Sequence, residues 1–134
     1  SMKRFNFTSV LTALLAAVSV GITTVPALAS NSTHNFTFNF DYGNTDTTDI
    51  EYKDSDHAVT MYCTGSDELS GSSYNACVKT TGGRTSAGYN ISSGGHAIMY
   101  CGDFEGSNIY IQGKLNSNDV DSFWGYWNPD DPQY

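Results

Sequence analysis

Three cysteines (Cys63, Cys77, Cys101) and three histidines (His34, His57, His96) are the residues of this chain best suited to covalent chemistry. An imidazole beside a thiol makes a thiolate nucleophile, recognised by a local signature or by two residues that the fold brings together. No such signature surrounds any of the six. His57 and His96 each open an apolar run, Ala58 to Thr64 and Ala97 to Cys101, where a rim position is the ordinary fate of an imidazole. Asp103 and Glu105, between Gly102 and Gly106, are a pair of carboxylates available for glycoside hydrolysis, but so small a chain shapes no deep cleft around them. No Gly-x-Ser-x-Gly elbow occurs among the many serines. The expectation is a protein that binds rather than catalyses.

Metal chemistry has one opening. Neither Cys-x-x-Cys nor His-Glu-x-x-His is present, which leaves zinc without support. Oxygen ligands are dense in Asp41-Tyr42-Gly43-Asn44-Thr45-Asp46-Thr47-Thr48-Asp49, and Asp41, Asp46 and Asp49 could serve Ca²⁺, which accepts irregular oxygen shells. None of the acidic stretches has the EF-hand register, and acidic loops between strands are ordinarily just solvated. No other cofactor is expected.

The aromatic residues offer a different chemistry, that of recognition. In Phe123-Trp124-Gly125-Tyr126-Trp127 a period of two puts Trp124 and Tyr126 on one face and Phe123 and Trp127 on the other, and Tyr110 points away from Ile109 and Ile111. Tyr110, Trp124 and Tyr126 are therefore the candidate ligand-binding residues. Rings on a flat sheet offer large contact area at low entropic cost, to sugars or to a protein partner.

The elements that would position them are strands. Leu69 and Leu115 are the only leucines after residue 29, whereas Tyr, Phe, Thr, Ile, Val, Gly, Ser and Asn abound. Phe36, Phe38, Phe40 and Tyr42 alternate with polar residues over Asn35 to Tyr42, so one face of that segment must be buried. The alternation recurs in Asp49 to Lys53, Ala58 to Thr64, Tyr74 to Thr80, His96 to Cys101, Asn108 to Leu115 and Ser122 to Trp127, with Gly-, Ser- and Asp-rich breaks between. The break from Thr81 to Gly95 has room for one more strand around Tyr89 to Ser92. About seven antiparallel strands predict an all-β fold, a single small sandwich, with a small barrel as the alternative.

Compartment follows from the first residues. Lys3 and Arg4, an apolar run from Val10 to Val20 and Ala27-Leu28-Ala29 read as a signal peptide over residues 2–29, which leaves residues 30–134 as one exported all-β domain. Only Lys53, Lys79, Arg84 and Lys114 then stand against all fourteen acidic residues, a net charge of −10 (4 − 14). Such a surface repels nucleic acid and anionic lipid, and no later segment could insert in a bilayer as a helix. No wall-sorting motif and no lipid-anchoring cysteine accompanies the cleavage site, which favours release from the cell.

In an oxidising compartment three cysteines allow one bridge. Cys63 follows Val59 and Met61 on one face and Cys101 follows Ala97 and Met99, so a Cys63–Cys101 bridge is favoured, with Cys77 free or paired between chains. A Cys63–Cys77 bridge across a hairpin and a fully reduced set remain open.

The Phe-x-Phe-x-Phe strand, a Tyr-Lys (Tyr52-Lys53) followed by acidic and Val/Thr-rich segments, and the closing Gly125-Tyr126-Trp127-Asn128-Pro129-Asp130-Asp131 resemble a group of small exported Gram-positive proteins of unknown function. The resemblance implies a β-rich fold, encoded near bacteriocin-type export and immunity genes, and it carries over no catalytic residue. The three cysteines depart from that pattern. Two functions follow as expectations: a secreted, non-enzymatic module that binds an extracellular glycan, wall polymer or host protein, or a bacteriocin-like effector or accessory acting on competing cells.

Overall fold

The structure is a computed structural model that describes residues 32–67 and 72–134; the signal peptide read at residues 2–29 lies outside the described residues. Among the described residues nine strands follow one another: β1 (His34–Asp41), β2 (Thr45–Thr47), β3 (Glu51–Tyr52), β4 (Val59–Ser66), β5 (Ser73–Thr80), β6 (Tyr89–Ser92), β7 (His96–Met99), β8 (Asn108–Leu115) and β9 (Val120–Asn128). They form two antiparallel sheets, one of four strands in the order β1-β9-β4-β7 and one of five built on β2-β8-β5-β6, with β3 also on β8. The sheets do not close on each other. The fold is a small sandwich, and the barrel alternative is set aside. Among the described residues no helix is long and apolar enough to cross a membrane.

Each sheet turns its apolar positions inward because the side-chain period of a strand is two. From the first sheet come Phe36, Phe38, Phe40, Val59, Met61, Cys63, Met99, Phe123 and Trp127; from the second come Tyr74, Ala76, Val78, Ile91, Ile109, Ile111 and Leu115, all buried. At the centre Phe38 meets Tyr74 edge-on at 5.4 Å between ring centroids, and Tyr74 meets Phe123 at 4.9 Å. Each such ring contributes roughly 1.5–3 kcal/mol by leaving water. Gly113 makes the central packing possible, since a Cβ there would come within 2.8 Å of the Phe38 ring and 3.0 Å of the Phe40 ring.

Two sequence expectations are corrected here. Tyr42 does not extend the buried face of β1: it takes φ +47°, Gly43 follows at +88°, and the Tyr42 ring is 66 % exposed. Two successive residues with positive φ make a tight reversal that carries the chain out of the first sheet and into the second. The cysteines are all free. Antiparallel pairing of Val59 with Met99 and Tyr62 with His96 puts Cys63 and Cys101 at opposite ends of the β4–β7 pair. At about 3.3 Å per residue that separation lies far beyond the roughly 7 Å between Cα atoms that a disulfide tolerates. Cys77 points out of the second sheet while Cys63 points into the core, so that bridge is excluded as well.

A polar knot ties the tail to the body. Lys53, just past β3, is completely buried; its ammonium donates to Asp130 Oδ1 (3.1 Å), to the Pro129 carbonyl (2.9 Å) and to the His57 carbonyl. The Asp130 carboxylate also accepts from the Asp54 and Ser55 amides (2.8 and 3.0 Å) and from the Ser55 hydroxyl (2.7 Å). Three donors meet three acceptors, and four donors meet one carboxylate, which is what lets both charges stay buried.

Candidate functional site

The β9 backbone decides which aromatic rings are available. Phe123 and Trp127 fall inside, while Trp124 and Tyr126 fall outside with 39 % and 38 % of their surface exposed. Register extends that outer face across the sheet: Tyr126 lies opposite Tyr62 of β4 on one side and Asn35 of β1 on the other, and Tyr62 lies opposite His96 of β7. The His96, Tyr62 and Tyr126 rings stack in a row, with centroids 5.2 Å apart at each step and interplanar angles of 16° and 17°. Directly opposed residues on neighbouring strands are spaced so that rings standing off the sheet stack face to face.

The position of Trp124 depends on a local irregularity. Between Cys63 and Gly65 the β4–β9 register slips by one residue, and Gly65 comes to lie opposite Trp124. A side chain at Gly65 would meet the indole, since its Cβ would stand 2.7 Å from Nε1 and 2.8 Å from Cε2 and Cζ2. The Thr64 hydroxyl donates to the Trp124 carbonyl (3.3 Å) beside it. At the slip Gly125 faces Cys63, where any Cβ would collide with the Tyr62 carbonyl oxygen. The bulge thus requires glycine at 125, where the contact is backbone, whereas a side chain at Gly65 would be admitted only by displacing the indole.

A groove of about 400 Å³ lies on this face. Trp124 and Tyr126 line it together with Asn35, Thr37 and Thr64, and Phe36 and Gly125 contribute at its base. It lies toward the sheet edge, because β1 is the outermost strand. Farther across, the C-terminal tail covers the surface: the Thr60 hydroxyl donates to Asp131 Oδ2 (2.9 Å) and the Asp131 amide to the Ala58 carbonyl (3.0 Å). The Tyr62 hydroxyl is held above the ordinary tyrosine range by burial, then by the negative potentials of Tyr134, Asp131 and Tyr126.

Tyr110 is not part of this face. It projects from β8 on the outside of the second sheet, over a separate hollow of about 420 Å³ shared with Thr47, Thr48, Asp49 and Ile50. The structure brings Trp124 and Tyr126 together and sets Tyr110 on the opposite side of the sandwich. Reading the sequence missed Tyr62 and His96. Their signal was present, because Val59, Met61 and Cys63 pointing inward obliges Tyr62 to point out.

The three candidate calcium ligands serve separate ends. Asp46 spends both oxygens on backbone amides, Oδ2 accepting from Asn39 and Oδ1 from Thr47, each at 2.8 Å. It thereby satisfies an amide on the open edge of β1. Asp49 lines the hollow under Tyr110, and Asp41 is exposed at the turn. Among the described residues no three His, Cys, Asp or Glu side chains gather as a metal-binding group. The thiols are poorly disposed to react: burial raises the pKa of Cys63 and pushes that of Cys101 up to about 11. Asp103 pairs with Arg84 (2.5 Å), and His34 pairs with Glu51 (3.3 Å).

Comparisons of the chain with family models, with curated proteins and with solved structures find no match.

Proposed function

We propose that the protein is a secreted, non-enzymatic binding module that engages an extracellular ligand through the outer face of its first sheet. The observation that carries this reading is the concentration of exposed rings there: Trp124 and Tyr126 border a groove, and Tyr62 and His96 continue the aromatic surface behind them. Solubility gives no reason to leave such rings uncovered. Export is supported by the basic, apolar and Ala-Leu-Ala segments at residues 2–29. A binding role without catalysis is supported by thiols that burial keeps protonated and by carboxylates engaged with amides or arginine.

The test compares the protein with its Trp124→Ala variant for retention on bacterial cells, isolated walls and mucin-coated beads, with cell viability followed in parallel. Retention should fall at least about tenfold, a loss of about 1.4 kcal/mol, while the melting temperature barely moves. A large fall in melting temperature would make Trp124 a structural residue. Killing of related bacteria would instead point to an effector.

A further inference from the structure

We infer that the ligand of this face is a neutral glycan, a chain of uncharged pyranose units crossing the groove beside β1; the inference rests on the binding face proposed above. The groove contains no ionisable acid or base among Asn35, Thr37, Thr64 and Trp124, and Tyr126 is its only titratable ring. Among the described residues the cations lie elsewhere. Lys53 is buried in the knot, Arg84 is committed to Asp103, and Lys79 and Lys114 project from the second sheet. A phosphate or carboxylate entering the groove would find no basic partner and would meet the field of a chain of net charge −8. A cationic ligand would find no carboxylate lining it.

What the groove does offer matches a sugar on two counts. Rings at Trp124 and Tyr126 present apolar surface to the C–H face of a pyranose. The Asn35 amide and the Thr37 and Thr64 hydroxyls each both donate and accept, as sugar hydroxyls do. Among the described residues the Asn35 and Thr37 side chains have no hydrogen-bond partner within the protein, so they are free to read a ligand. Because β1 is the sheet edge, a polymer can enter and leave without ending there. A protein partner fits less well: the other exposed large apolar residues (Tyr42, Ile50, Tyr52, Tyr100, Val120, Tyr134) do not line the groove, and a stable protein interface needs a broader apolar centre.

Trp127, buried and 5.8 Å from the His34 ring, supplies an internal control for the experiment. The two indole N–H resonances of the ¹⁵N-labelled protein are followed during titration with cello-, chito- and manno-oligosaccharides, and separately with polygalacturonate and wall teichoic acid. A neutral oligosaccharide should shift Trp124 and leave Trp127 in place, with an affinity unchanged between roughly 50 and 500 mM salt. The Asn35→Ala/Thr37→Val double variant, folded by the same spectrum, should bind at least about tenfold more weakly. Salt-sensitive binding of the anionic polymers at Trp124 would overturn the neutral-glycan inference and leave the binding face standing. If no saccharide shifts Trp124, yet cells retain the protein in a Trp124-dependent way, the ligand is a protein and the inference fails alone. Retention indifferent to Trp124→Ala would overturn both.

Discussion

The knot around Lys53 and the groove beside Trp124 are opposite uses of neighbouring stretches of chain. At the knot two charges are hidden and every hydrogen-bonding position is filled from within the protein. At the groove large rings are shown, and among the described residues the Asn35 amide and the Thr37 hydroxyl have no partner within the protein. Only two residues separate Trp127, the last inward ring of β9, from Asp130. Polar groups closed on one another maintain the fold, whereas apolar groups left open are available for recognition. The Tyr-Lys and Trp-Asn-Pro-Asp segments that suggested a family resemblance meet in the knot, so their role in this chain is architectural.

Breaking the knot should therefore have the largest effect on stability. Asp130→Ala leaves a buried ammonium facing carbonyls and no carboxylate, and should cost about 3–5 kcal/mol, a large share of the 5–15 kcal/mol typical of a domain. Many buried ion pairs can be replaced by apolar residues without loss. This one should not be: a Lys53→Met/Asp130→Leu double variant would strand the Asp54 and Ser55 amides and the His57 and Pro129 carbonyls, and should stay clearly less stable than the parent. Denaturant midpoints measure both. A double variant as stable as the parent would contradict the claim that the backbone depends on these two side chains.

High pH probes the same contrast through the core. The Cys101 thiol has its pKa raised by burial to about 11 from an ordinary value near 9. The unfolded chain therefore releases this proton first. The contribution is fully present below about pH 9 and is lost progressively as pH rises toward 11, at most roughly 3 kcal/mol for a two-unit shift. Cys63 and Tyr74, also raised by burial, act in the same direction. Urea midpoints at pH 8 and pH 10.5 should show the loss, and Cys101→Ala should flatten part of it. A parent curve without alkaline slope would mean that the thiol is open to solvent.

Much of the fold was legible because alternation writes itself into each long strand. Phe36, Phe38 and Phe40 announce β1, and Ile109 and Ile111 announce β8. The shortest pairings were less legible: β2, three residues long, left no such mark, and although the alternation over Asp49 to Lys53 announced β3, no local pattern encodes that β2 and β3 share successive lengths of one edge of β8. The site was half legible. Period two exposed Trp124 and Tyr126, but it could not say that Tyr110 belongs to the other sheet, because sheet membership is set by partners distant in sequence. The knot left no signal at all, since Lys53 and Asp130 are 77 residues apart and each looks like an ordinary surface charge. The favoured disulfide failed for a related reason: facing inward on neighbouring strands says nothing about register.

The finest test of the contrast uses one substitution at two glycines. At Gly113 a methyl group would press on the Phe38 and Phe40 rings, which the packed core holds on all sides. Overpacking of that kind costs about 1–3 kcal/mol, so Gly113→Ala should lower the denaturant midpoint. At Gly65 the methyl group would meet an equally close contact, yet its neighbour is the half-exposed Trp124 indole, which can swing toward solvent. Gly65→Ala should therefore change stability by less than about 0.5 kcal/mol, as exposed substitutions usually do, while shifting the Trp124 indole resonance and lowering ligand retention. The same added carbon would then be read as lost stability in the core and as lost recognition on the face. A Gly65→Ala variant that loses as much stability as Gly113→Ala would show that the indole is part of the packed framework, and the groove would have no movable wall.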